Sequence, residues 1–222
     1  MPPAQNPLAL HTWTLDTTRN KEYVFNTDLQ TAIKDHLEGF QPTVLDRPEL
    51  RHAAVGVVVI PNADGQACFV LTRRQPTLRR HAGQWALPGG RLEHRESAEA
   101  AALREIHEEI NLLVEPDALL GRLDDFITRS GHLVTPVVVW AADRTALAAN
   151  PDEVADAYLV PLAELDDPRA VQMRPLLHLT MPSVPTTVHA PTAAILYQFR
   201  EVALHGREVR VADVEQPYFA WR

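Results

Sequence analysis

The chain has 222 residues and a formal net charge of −8, from 29 acidic and 21 basic side chains. That length gives one domain with a sizeable core, or one domain with extensions, and the acidic balance argues against non-specific binding to nucleic acid or to anionic membrane. One cysteine, Cys68, excludes an internal disulfide and a cysteine-based zinc cluster.

The opening MPPAQNPLALHTW has no basic region followed by a long apolar run, so no signal peptide is expected. No apolar stretch approaches the ~20 residues of a membrane span. A soluble cytoplasmic protein follows as the expectation. Residues 1–50 read as an N-terminal extension that packs on the main domain, residues 51–222, or on a second subunit. LALHTWTL alternates weakly, like a short strand, and Asn26 or Thr27 caps a helix running through Glu38 and ended by Gly39. Pro42 and Pro48 then break the chain. Ala53 to Ile60 (AAVGVVVI) is rich in β-branched residues and is expected as a strand buried on both faces. PNADG turns the chain and Ala67 to Thr72 returns it, making a hairpin in which Cys68 is a small buried strand residue.

Residues 73–90, RRQPTLRRHAGQWALPGG, carry four arginines and His81. Such a loop is either solvated, as most arginines are, or a phosphate clamp, for which the planar guanidinium suits bidentate oxygen contacts. The stretch from Gly90 to Leu112, GRLEHRESAEAAALREIHEEINL, follows directly. Leu103, Ile106 and Ile110 recur at i, i+3 and i+7 and give a helix its buried stripe. On another side Glu105, Glu108 and Glu109 project within about one turn. Carboxylates this close repel one another, and a hard cation such as Mg²⁺, which takes oxygen ligands, converts that repulsion into binding. A solvated acidic face is the plain alternative.

Beyond this helix, Leu119 to Arg129 and Leu133 to Trp140 read as two strands joined by a turn at Ser130-Gly131. Ala155 to Val160 reads as a further strand, and Pro161 opens the short helix PLAEL. A strand pair is expected within 171–190, and Thr192 to Ala203 as an amphipathic helix with Ala194, Leu196 and Phe199 near its apolar side. The tail QPYFAWR is aromatic for a terminus, so docking on the domain or on a partner in a homodimer is expected rather than fraying.

Gly90, Glu96 and the run Arg104-Glu105-Ile106-His107-Glu108-Glu109-Ile110-Asn111-Leu112 resemble, in identity and spacing, the Nudix box of the Nudix hydrolase superfamily. Asn111 stands where the pattern has glycine, at a helix end where φ > 0 is expected and Asn is the next most tolerant residue. Just upstream, Leu71-Thr72, Arg74, Arg79, Gly83 and Pro88-Gly89-Gly90 resemble the motif that precedes the box in coenzyme A pyrophosphatases, with Val70, Gln75 and Leu87 as departures. SGHLVTPVVV is similar to the same group, whereas His189-Ala190-Pro191 stands where many of its members have a tryptophan-glycine pair. The resemblance implies an α/β/α sandwich with a mixed central sheet. It implies a Mg²⁺- or Mn²⁺-dependent hydrolase of a nucleoside diphosphate linked to another group, most specifically coenzyme A or its thioesters. It places metal ligands at Glu105, Glu108, Glu109 and the carbonyl of Gly89, with the base at Glu105 or Glu109. Arg104 then orients a neighbouring carboxylate, Gly90 and Glu96 shape the motif loop, and Arg74, Arg79 and His81 are candidates to hold substrate. A distant acid recruited in some such enzymes falls on Glu153, with Asp124 and Asp125 behind it. ADP-ribose, a dinucleotide or a nucleoside triphosphate as substrate, or a nucleotide-sensing module without turnover, are the alternatives.

Overall fold

Strand β1 (Arg51–Pro61) is the spine of the molecule, and its run Val57-Val58-Val59-Ile60 is fully buried. β-branched side chains fit a pleated surface covered on both faces, which is why this run becomes a central strand. The computed structural model describes residues 22–77 and 83–218.

β1 runs parallel to β7 (His132–Trp140) over nine paired positions, from Arg51↔His132 to Val59↔Trp140. On its other side it pairs antiparallel with β2 (Ala67–Arg74), but only from Val59↔Phe69 to Pro61↔Ala67. Beyond that point β1 and β2 diverge, and the segment between them fills the fork. β3 (Trp85–Ala86) pairs with β2, and β4 (Gly89–Arg91) pairs with β1. β5 (Leu119–Arg122) and β6 (Phe126–Ile127) pair with β7, and β8 (Val154–Pro161) covers the outer edge of β2. The result is an eight-stranded mixed sheet, accompanied by a small antiparallel sheet of β9 (Val171–Gln172), β10 (His178–Thr180) and β11 (Thr187–His189).

Helices cover both faces. Helix α2 (Ala98–Ile110) lies on one, where Ile106 and Ile110 meet Ala54, Val58, Val137 and Val139. Gly56 allows this close approach, because a Cβ there would run into the Ile106 side chain. The opposite face packs α1 (Thr27–Gly39) and α4 (Thr192–Phe199) into a second core with Val57, Val59, Val138 and Trp140. α3 (Leu162–Asp166) follows β8 directly, with Pro161 as the residue before its first turn.

Asn26 caps α1 by accepting from the Leu29 N–H at 2.9 Å. Phe25 stacks on Trp140 with centroids 4.0 Å apart, and the backbone N–H groups of Thr43 and Leu45 donate to the Asp124 and Asp125 carboxylates. Residues 22–45 are therefore stitched into the second core. LALHTWTL lies outside the described residues.

Three expectations change. The single strand over 119–129 is two short strands: the register with β7 shifts between Leu119 and Gly121, and Asp124 and Asp125 turn inward to accept hydrogen bonds. The region 171–190 holds three strands, because β10 pairs on both edges. The C-terminal helix is α-helical only to Phe199, and Arg200–Leu204 continues it as a π-helical turn.

Candidate active site

The sheet fork is where the candidate residues meet. Gly89 and Gly90 enter it so closely that a Cβ on Gly89 would strike the Ala54 carbonyl and Val55, and one on Gly90 would strike the Glu105 carboxylate. The Gly56 N–H donates to Pro88 O at 2.8 Å and holds the loop in place. Only glycine allows backbone, strand and helix to share this space.

Helix α2 begins at Ser97, whose Oγ accepts from Ala100 N at 3.1 Å, and ends at Asn111, whose φ of 52° and ψ of 31° are left-handed. Asn tolerates that conformation better than other non-glycine residues, so the departure from the motif leaves the helix end intact. Leu103 is half-buried, while Ile106 and Ile110 are fully buried. Glu109 sits next to that stripe and is drawn in with it, to 2% exposure. Glu108, one residue earlier, keeps about half its side chain (49%) in solvent, and His107 is exposed.

Two arginines hold the carboxylates. Arg74 donates to Glu109 Oε1 at 3.0 Å, and the Gly89 N–H donates to Oε2 at 3.3 Å. Arg104 grips Glu96 with a two-pronged contact at 2.9 and 3.0 Å, and also donates to Glu105 (2.8 Å), Glu108 (3.0 Å) and the Arg91 carbonyl (3.0 Å). One planar guanidinium thus ties β4, the motif loop and α2 together. The hydrogen bond from Arg104 holds the Glu96 carboxyl below its usual range. Burial pushes Glu109 up to about 7 in spite of Arg74 and the Gly89 N–H, and raises Glu105 in spite of Arg104. Glu153 adds a like-charge push on both.

Glu153 reaches this neighbourhood because its loop is fastened to the end of α2. Asn150 donates from its backbone to Glu109 O (2.8 Å) and from its side chain to Glu108 O (3.0 Å), and Gln75 N donates to Glu153 O at 2.9 Å. Asp124 and Asp125 lie elsewhere, buried and engaged with Gln198, Arg210 and Thr135. Arg79 and His81 fall outside the described residues. Among the described residues no three His, Cys, Asp or Glu side chains converge as a ready-made metal cage, since Arg104 and Arg74 occupy the carboxylates.

Beside the fork opens a cavity of about 620 Å³. Arg74, Gly89 and Gly90 line it together with Val55, Trp85, His189 and Thr192. Thr128, Ser130, His132 and Gln216 also line it. Nothing in the residue types of Gln216 and Trp85 signals a pocket, and only the SGH phrase points toward His132.

Residues 50–180, more than half of the chain, match the NUDIX domain family. The chain belongs to the Nudix hydrolase family. Its α/β/α layering is the Nudix fold. It is similar to the uncharacterized Nudix hydrolase NudL of Photorhabdus laumondii, at 43% identity over 115 residues, 51% of this chain and 60% of that protein. NudL of Pectobacterium atrosepticum is 38% identical over 138 residues, 60% of this chain and 71% of the relative. Among solved structures, a MutT protein from Methanosarcina mazei Go1 covers 69% of this chain and 96% of its own, with 21% identity and a TM-score of 0.47. No helix among the described residues is long and apolar enough to cross a membrane.

Proposed function

We propose that this protein is a divalent-metal-dependent hydrolase that cleaves the pyrophosphate bond of a nucleoside diphosphate linked to another group. Its substrate in this reading is coenzyme A or a thioester of it, cut to 3′,5′-ADP and 4′-phosphopantetheine. The observation that carries the reaction class is the buried Glu109 carboxylate, lodged between Arg74 and the Gly89 N–H beside a large cavity. The coenzyme A assignment draws on the motif from Leu71 to Gly90 that precedes the Nudix box.

Glu105, Glu108, Glu109 and the Gly89 carbonyl offer an all-oxygen donor set of the kind Mg²⁺ and Mn²⁺ take. The Glu105 carboxylate lies against Gly90, next to Gly89, and the chemistry of these oxygen donors is what supports such an ion. When bound, the metal polarises phosphate oxygens and lowers the pKa of water. The protein's own groups do the rest. Arg104 holds Glu105 and Glu108 in register on the helix, and Glu96 holds Arg104. The exposed Glu108 turns away from Arg104 at little cost, so the acidic face can rearrange around an ion. Glu105 or Glu109 takes the proton of the attacking water, with Glu153 near enough to share that task. Arg74 lines the cavity, which supports its role as a phosphate contact in this reading.

The test is product analysis with coenzyme A, ADP-ribose, NADH and nucleoside triphosphates in parallel, with Mg²⁺ or Mn²⁺ and with chelator. Chelator-sensitive release of 3′,5′-ADP, fastest from coenzyme A, is the expected result. Faster cleavage of another compound keeps the hydrolase and removes the coenzyme A assignment. No turnover with tight nucleotide binding points to a sensing module.

A further inference from the structure

The cavity stands apart from the rest of the molecule in charge. The chain carries 29 carboxylates, yet none of the described residues lining the cavity is Asp or Glu, whereas Arg74 and Arg91 both line it. A cleft lined by arginine and without carboxylates of its own suits negative charge. Arg74 accounts for one end, next to the glutamates of α2. The other end is a different structure.

There the turn from β6 to β7 brings Thr128, Ser130 and His132 together. Ser130 Oγ lies 3.0 Å from Thr128 Oγ1 and 3.1 Å from His132 Nδ1. Thr128 is fixed from behind: its Oγ1 donates to His132 O at 3.2 Å and accepts from His132 N at 3.0 Å. Gln216 from the C-terminal segment locks the same turn, accepting from Arg129 N and donating to Ile127 O, both at 3.0 Å, and is itself buried. Arg51 adds positive charge at the turn, donating to Ser130 O at 3.0 Å. A serine hydroxyl and an imidazole held by hydrogen bonds on a braced turn make a pre-set polar corner. Hydroxyl and imidazole N–H groups are hydrogen-bond donors of the kind an anion's oxygens accept from.

The sheet register sets its distance from the reacting end. Gly89 stands opposite Val55 and His132 opposite Arg51, four residues apart along β1, or about 13 Å measured along the strand at the usual rise per residue, with the spacing between strands added to that. A ligand touching both ends is elongated and carries negative charge at two separated places.

We propose that Ser130 and His132, positioned by Thr128 and Gln216, form a second anion subsite that takes a phosphate monoester of the substrate away from the bond that is cleaved. This rests on the hydrolase reading for the identity of the ligand: in coenzyme A the monoester is the ribose 3′-phosphate, which dephospho-coenzyme A lacks. The subsite makes the enzyme discriminate between the two.

The test separates binding from turnover. Affinities for 3′,5′-ADP and for 5′-AMP, which differ by that one phosphate, are measured by calorimetry in the presence of chelator. The wild-type protein is expected to bind 3′,5′-ADP at least about tenfold more tightly, the order expected of charge-assisted hydrogen bonds. In Ser130→Ala and His132→Ala, checked for an unchanged circular dichroism spectrum, the ratio falls toward one. Gln216→Leu, which frees the turn, lowers it partway. Equal affinities in the wild type, or a preference that survives both Ser130→Ala and His132→Ala, overturn the subsite. In parallel, kcat/KM is compared for coenzyme A and dephospho-coenzyme A. No cleavage of either, with the 3′,5′-ADP preference present and lost in the variants, removes the substrate assignment and leaves the anion subsite standing.

Discussion

At the scale of single residues, Glu109 and Arg104 do different work. Glu109 is buried, and only Arg74 and one backbone N–H compensate its charge. Glu109→Gln keeps the shape and removes the charge. Metal-dependent turnover should fall by more than about a hundredfold, the upper range for losing even a supporting metal partner, while the thermal midpoint holds or rises. Full activity at matched metal concentration would remove Glu109 from the site. Arg104→Ala should instead cost stability as well as rate, by about 1–3 kcal/mol for the charge-assisted bonds it makes, seen as a lower urea midpoint. Cys68 offers a further check on the core. Burial pushes its thiol up to about 11, and its side chain is inaccessible on β2. At pH 8 it should react with a thiol reagent only as fast as the protein unfolds, because the thiolate is scarce and shielded. Rapid labelling of the native protein would contradict this packing.

At the scale of elements, the two glycines of β4 look equivalent in the sequence and are not. A Cβ at Gly89 meets backbone atoms of β1, which cannot give way, whereas one at Gly90 meets the end of the Glu105 side chain, which can. Gly89→Ala should therefore destabilise by about 1–3 kcal/mol, as overpacking does. Gly90→Ala should lose activity with a smaller change in the thermal midpoint, by displacing Glu105. Comparing melting and turnover of the two variants tests the distinction. The same elements show how much could be read beforehand. The β-branched run of β1, the cap at Asn26, the acidic face of α2 and the left-handed Asn111 all followed from local rules, because each depends on residues within a few positions. The fork did not. It exists because β2 leaves β1 after three paired positions, and nothing in either strand's own composition marks that point. For the same reason the sequence could offer Arg74 as a candidate to hold substrate but not reveal its ion pair with Glu109, 35 residues away. Nor could it separate Asp124 and Asp125, which anchor residues 43–45, from Glu153, since all three are loop acids until the chain is folded.

At the scale of the whole molecule, the stretch that matches the family is not the unit that folds. Ile33 and Leu37 of α1, and Leu196 and Phe199 of α4, lie outside residues 50–180 yet share one core with Val57 and Val59. A fragment of residues 50–180 alone should show no cooperative melting transition, because it leaves that face of the sheet bare. The two flanks also meet through Asp166, which accepts from Tyr23 Oη at 2.7 Å and lies 2.5 Å from His205 Nε2. Burial alone would raise the Asp166 carboxyl, but the bonds from His205 and Tyr23 outweigh it and hold it below its usual value. A carboxyl whose pKa is lowered by folding stabilises above its unfolded value, about 4, and loses that contribution as pH falls through the folded one. Asp166→Asn should thus be less stable at pH 7 and lose less stability than wild type on going below about pH 4, measured by urea midpoints across that range.

A cavity with no acid among its described lining residues, in a molecule of net charge −8, has a kinetic consequence. Far from the surface an anionic substrate senses the overall charge and is repelled; only within a screening length, about 8 Å at physiological salt, does it sense the arginines of the pocket. Added salt therefore weakens the long-range barrier before it weakens the short-range attraction. For a substrate whose capture limits kcat/KM, the rate should rise from low to moderate ionic strength before it falls, where a pocket matched by an oppositely charged surface would show only the fall.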